Sequence, residues 1–141
     1  MSAILTDYGE EWLMKTDVDN TTVDVGLFDS NTDTITDPSD VSDVTSEPTG
    51  NDYARAESVA VSASDISGNW GIDNDAKITF SVGDATEDVD SYFFVANFAA
   101  SGDSGTPSDH LVLTGSLSQT YDLNSVDTLE ISANTAGVTV N

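Results

Sequence analysis

Apolar residues along the chain follow two rhythms, and the change comes near residue 16. Over residues 2–15, Ile4, Leu5, Tyr8 and Trp12 recur at helical spacing while Glu10 and Glu11 take the other side. That spacing predicts one N-terminal helix. Beyond it the period becomes two. Val23, Val25 and Leu27 alternate with Thr22, Asp24 and Gly26; Val59, Val61 and Ala63 alternate with Ser58, Ser62 and Ser64; Ile78, Phe80 and Val82 alternate with Lys77, Thr79 and Ser81. Successive strand side chains point to opposite faces, so each run predicts a half-buried strand with one wet face. The run Tyr92-Phe93-Phe94-Val95-Ala96-Asn97-Phe98 is apolar on both faces and predicts a central strand covered on both sides. Leu111 to Leu117, Leu129 to Ala133 and Val138 to Val140 continue the pattern.

Short strands separated by Gly, Asn, Asp and Ser predict an all-β fold: an antiparallel β-sandwich of about seven to eight strands with one short N-terminal helix. A length of 141 residues suits a single domain over 1–141, with the helix in 1–16 and the sandwich in 22–141. Residues 29–52 break the pattern. They hold seven acids and no base, and Ile35, Val41 and Val44 are their only sizeable apolar residues. Loops of this length are uncommon in compact domains unless they are functional or disordered. A partner subunit, a cation or a crowded assembly surface is expected to order this one.

Charge then identifies the solvent. The chain carries 26 acids against three bases, Lys15, Arg55 and Lys77, for a net charge of −23. At ordinary ionic strength such a charge destabilises a compact state by self-repulsion. In 1 M salt the Debye length falls to about 3 Å and most of that repulsion is screened. Abundant Asp with scarce Lys therefore reads as adaptation to brine. The same balance excludes nucleic acid as a partner, because phosphate binding needs clustered Lys and Arg. No apolar run is long enough for a membrane-spanning helix, and no basic segment followed by an apolar one suggests a secretory signal. The absence of cysteine excludes disulfides and thiolate metal sites.

Candidate chemistry is thin. Gly102-Asp103-Ser104-Gly105 resembles the nucleophile motif of trypsin-like proteases, but the sole histidine, His110, lies just after it rather than far upstream. A Gly-rich turn accounts for the tetrapeptide, and His110 is expected in a loop or at a strand edge. Catalytic residues are therefore expected to be none. Asp29, Asn31, Asp33 and Asp37 follow the oxygen-ligand spacing of a calcium loop. Thr34 stands where that loop needs Gly, and Asp40 where it needs a bidentate Glu. No cofactor is required, and bound Ca, Mg, Na or K on the carboxylates is the most these residues support. Asn20-Thr21-Thr22 is a glycosylation sequon, of consequence only in a glycosylating compartment. Arg55 is expected to bond a carboxylate such as Glu57 or Asp52. Leu5, Tyr8 and Trp12 form a candidate docking face on the helix. Trp70, set between Asn69 and Gly71, is a candidate platform for stacking on a host-surface glycan.

The order of these features resembles a family. Val25-Gly26-Leu27-Phe28-Asp29 is followed by Tyr53-Ala54-Arg55, a strand, a Gly/Trp/Asn-rich turn over Gly68 to Asn74, Ile78-Thr79-Phe80, the aromatic strand, the turn at Gly102 to Gly105, and Asp127-Thr128-Leu129-Glu130-Ile131. The series is similar to short β-sandwich virion accessory proteins of tailed viruses, of tail-fibre-like, minor tail, capsid decoration or turret type. The long acidic loop and the scarcity of bases are what a member from a haloarchaeal virus is expected to show. The resemblance implies a non-enzymatic virion protein, made in the cytoplasm of a halophilic host. Its expected partners are other copies of itself, as a trimer or pentamer, and major capsid or tail proteins. The alternative is an adhesion module that binds host-surface glycan.

Overall fold

The computed structural model describes residues 3–66 and 69–140, with side chains outside 64–66, 69–70 and 138–140. In chain order the elements are β1 (Ile4–Leu5), α1 (Asp7–Lys15), β2 (Thr22–Phe28), β3 (Ala56–Ile66), β4 (Asn69–Asn74), β5 (Ile78–Ser81), β6 (Asp88–Phe98), β7 (Ser108–Asp122), β8 (Thr128–Ile131) and β9 (Gly137–Val140). The fold is all-β and sandwich-like, as the period-two runs predict. A seven-stranded sheet runs β1-β7-β6-β2-β3-β4-β9, and β5 pairs with β8 in a second, two-stranded sheet. Every pairing is antiparallel. The larger sheet curls because β3 is shared: Ala56 to Ala60 pair with β2, while Val61 to Ile66 pair with β4.

Alternation is clean where one face is wet. In β5, Ile78 and Phe80 are buried while Thr79 and Ser81 are exposed; in β8, Leu129 and Ile131 are buried. β6 lies between β2 and β7, and residues 91–96 are buried without interruption. One apolar cluster fills the space between the sheets. Val25, Leu27, Val61, Ile72 and Phe94 of the large sheet meet Ile78, Phe80, Leu129 and Ile131 of the small one.

Three expectations need correction. The helix begins at Asp7, not residue 2, because Ile4 and Leu5 pair with Thr114 and Leu113 at the edge of β7. Thr6 ends that strand and caps the helix. Its Oγ accepts from the Gly9 amide at 3.0 Å and donates to the Leu111 carbonyl at 2.5 Å. Gly9 allows the close approach, since a Cβ there would lie 1.9 Å from the Val112 carbonyl oxygen. Second, the Gly/Trp/Asn-rich segment is strand β4 rather than a turn. Pairing on both sides, with β3 and β9, overrides the turn propensity of Asn69, Gly71 and Asn74. The chain reverses just after Asn74, whose buried amide uses every bond it can make. It donates to the carbonyls of Ala76 and Ser132 and accepts from the amides of Thr135 and Ala136.

The third correction concerns residues 29–52. The chain's own sheet supplies contacts that order them. They lie over the face of the large sheet opposite β5 and β8, where Ile35, Val41 and Val44 pack on Phe28, Phe93, Val95 and Leu111 in a second apolar cluster.

Candidate functional site

The acids of this segment bond inward to their own chain. Asp33 is 5% exposed, and its carboxylate accepts from the amides of Thr45 and Ser46, each at 2.8 Å, and from both hydroxyls. Burial alone raises its pKa, but these donors outweigh burial and hold it below the ordinary value. Asp29 accepts from Asn31 and Thr32 in a turn of its own. From the sheet side, Asp90 accepts from the amide and hydroxyl of Ser30, Glu87 from those of Thr49, and Asp84 from the amides of Asn51 and Asp52.

Glu47 takes the place expected of Glu57 or Asp52. It accepts from Arg55 Nε at 2.9 Å and Nη2 at 3.0 Å, and from the Tyr53 hydroxyl at 2.7 Å. The Arg55 guanidinium also lies 5.1 Å above the centre of the Phe93 ring. Phe93 in turn lies over Gly26, where a Cβ would meet its ring at 2.3 Å. Gly26, Phe93, Arg55 and Glu47 thus form one stack that joins β2, β6, the residue before β3 and the loop. Burial, and then the neighbouring Glu47, push the Tyr53 hydroxyl far above its usual range.

His110 is the densest convergence of charge. It is 5% exposed, in the part of β7 that pairs with β6 but lies beyond the β1 pairing. Its Nδ1 lies 2.9 Å from Asp40 and its Nε2 2.7 Å from Asp103. Tyr8 stacks on the ring at 4.3 Å between centroids, and Phe98 meets it edge-on at 5.3 Å. The other oxygen of Asp40 accepts from the Leu111 amide. Burial lowers the His110 pKa, but the hydrogen bonds that the ring donates to Asp103 and Asp40 outweigh it and raise the value above 6.5. One residue therefore joins four segments: the acidic loop, helix α1, the turn after β6, and β7.

Ser108 Oγ also lies 3.0 Å from His110 Nε2, so Ser108, His110 and Asp40 share the connectivity of a hydrolytic triad. The chemistry differs. Asp103 occupies the same nitrogen at a shorter distance and also accepts from Ser108. A carboxylate at each nitrogen favours the imidazolium form, which has no lone pair to take a serine proton. Within Gly102 to Gly105 the residue that meets His110 is Asp103, and Ser104 only turns the chain, at φ 52°.

The other expected site residues are dispersed. Trp12 is 1% exposed in the main core, because the helix docks on its own sheet, and it is unavailable to a partner. Leu5 and Tyr8 are half-buried beside it. Of Asp29, Asn31, Asp33 and Asp37, the first two bond each other, and Asp33 is already saturated by donors from Thr45 and Ser46. Among the described residues no group of three or more His, Cys, Asp or Glu is placed to hold a metal ion. Trp70 lies in β4 opposite Asp65 and Val140; its side chain lies outside the described part of the structure.

Sequence reasoning missed Asp40, Glu47 and Asp103 as structural residues. Two of them had signals. Asp40 and Asp43 are spaced as a capping box, which they form. Asp103 lay inside the motif singled out for its serine. No family model, curated protein or solved structure matches the chain.

Proposed function

We infer that the chain is a non-enzymatic structural protein displayed on the surface of a haloarchaeal tailed-virus particle. It serves there as capsid decoration or turret, or with the tail, as a homo-oligomer. One observation carries the structural part of this reading. Inward-facing carboxylates are engaged by amides, hydroxyls, Arg55 and His110, and fasten the fold, which suits a structural role. The outward acids suit a protein that must stay dispersed in brine. The virion assignment rests on the order of sequence motifs.

The decisive experiment is mass spectrometry and antibody labelling of particles purified from a halophilic host carrying the gene. Stoichiometric presence and surface labelling are expected; recovery of the chain only from the cell lysate would overturn the reading. Dialysis from several molar salt to low salt tests the solvent assignment. Loss of cooperative unfolding is expected, and unchanged unfolding in low salt would sink it.

A further inference from the structure

A cleft of about 370 Å³ opens between the far end of β7 and β8, away from the His110 cluster. Its origin is an irregularity in strand pairing. Ser91 pairs with Ser116 and Val89 with Tyr121, so residues 117–120 of β7 stand opposite the single residue Asp90. An insertion of this kind lifts a strand out of its ladder and re-aims its side chains. Here it raises a wall, closed by a 3.0 Å contact between the Ser118 and Tyr121 hydroxyls. Tyr92 forms the floor, its hydroxyl fixed by the amide and carbonyl of Gly137. Glu130, Ser132 and Thr135 line the opposite side.

The lining selects a ligand class by elimination. An anion finds one ammonium nearby, Lys77, already 3.3 Å from Glu130, in a chain of net charge −23. A divalent cation finds one carboxylate, and such ions take six or more oxygen ligands. A purely apolar ligand would take the Glu130 carboxylate and the polar rim out of water with nothing in exchange. A neutral polyol satisfies all of it. Its hydroxyls can exchange bonds with Ser118, Ser132 and Thr135 and donate to Glu130, while its C–H face lies on the electron-rich face of Tyr121. A cleft of this volume sits at the small end of ligand sites, matched to one sugar ring. The other cleft of similar size, beside the acidic loop, does not compete: four carboxylates line it and, among the described residues, it has no aromatic side chain on which a sugar ring could stack.

We propose that the cleft between the β7 insertion and β8 is a binding site for a neutral saccharide, with Tyr121 as stacking platform and Glu130 as hydroxyl acceptor. The site is distinct from Trp70, and its existence does not depend on where the protein is displayed.

Amide-resolved NMR on the whole chain in molar KCl tests it, with glucose, galactose, mannose and N-acetylglucosamine as probes. At least one sugar is expected to give saturable shifts confined to residues 116–121 and 130–136, with a Kd of about 1 mM. Tyr121→Ala should weaken binding about tenfold or more, and Glu130→Gln should weaken it less. Spectra of both variants outside the cleft should match the parent, which separates loss of binding from loss of fold. Trp70→Ala should leave affinity unchanged. The proposal is overturned if no sugar gives saturable shifts, if Tyr121→Ala binds as tightly as the parent, or if calcium chloride or acetate saturates the same residues instead.

Discussion

On one face of the seven-stranded sheet, β5 and β8 lay down Ile78, Phe80, Leu129 and Ile131 against Phe94, Leu27 and Val25. On the other, an irregular segment brings only Ile35, Val41 and Val44 to Phe28, Phe93 and Leu111. The first face is closed by apolar area. The second has too little of it, and the difference is made up by carboxylates that bond backbone amides, one arginine and one histidine. A carboxylate that accepts two or more amide bonds orders loop backbone without requiring a strand ladder. A chain limited to few large aliphatics by its solvent can thus still cover both faces of a sheet. The price is cooperativity: the loop face should open locally at a lower free energy than the strand face.

Neighbours on one strand give the largest test of that contrast. Phe94 and Phe93 are both fully buried, but they point to opposite faces. Phe94→Ala should cost about 3–5 kcal/mol and lower the global denaturation midpoint in molar salt. Phe93→Ala should cost less globally and show mainly as faster amide exchange in residues 29–52. Equal global losses from the two would mean that the faces unfold as one unit and would end the distinction.

Asp33→Asn comes next. It replaces an ion that accepts from two amides and two hydroxyls with an amide whose NH2 faces the same donors. Bonds to charged groups contribute about 1.5–3 kcal/mol. The loss should appear as accelerated exchange of the Thr45 and Ser46 amides, with β5 and β8 unchanged. Exchange rates at Thr45 and Ser46 that match the parent would remove Asp33 from the account. Glu47→Ala should be smaller. The pair it breaks with Arg55 is partly hydrated, at 22% and 30% side-chain exposure, so the loss should be about 1–2 kcal/mol, between exposed and buried ion pairs. A double-mutant cycle with Arg55→Ala should return a coupling of the same sign, and zero coupling would reduce the stack to packing alone.

The contrast also explains what the sequence made legible. The strand face obeys a local rule, so Val23 to Leu27, Ile78 to Val82 and Tyr92 to Phe98 could be placed from spacing alone. β4 could not, because Asn69, Gly71 and Asn74 form a strand only through the partners on either side. The loop face obeys no periodic rule. Asp33 reaches Thr45 and Ser46 across 12 and 13 positions, and Asp40 reaches His110 across 70. In a chain of 26 acids nothing local marks Asp33 as different from Asp109, and the capping-box spacing of Asp40 does not point to His110. The acid coat concealed the acids that hold the structure. Trp12 misled for a related reason: helical spacing identifies the apolar face of α1 but not whether its own sheet or another molecule covers it.

The smallest expected effect is the sharpest, because its sign is fixed. Beside His110 stand the carboxylates of Asp40 on the loop and Asp103 on the turn after β6, and beside its stacked Tyr8 also Asp7 and Glu11 on α1, with Lys15 paired to Glu11. Tyr8 stacks on the ring. Asp40 first, then burial, raise its hydroxyl above 10, so it stays neutral below pH 9. Folding raises the His110 pKa above 6.5, so the charged ring binds its proton more tightly in the native state. Its contribution is therefore complete below pH 6.5 and declines as pH rises through the raised native value. Asp103 works in the opposite direction. Its pKa is lowered, chiefly by the bond from His110, so its contribution is present above 3.8 and declines as pH falls through the lower native value. The clamp should be strongest between those limits. In molar salt, the stability difference between the parent and His110→Gln should be flat from about pH 4 to 6 and shrink toward pH 9. Imidazole C–H resonances should titrate with a midpoint above 6.5. A midpoint at or below 6.5, or a parent-minus-variant difference that does not change up to pH 9, would show that the two carboxylates do not hold the ring charged. The loop would then depend on Asp33 and Glu47 alone.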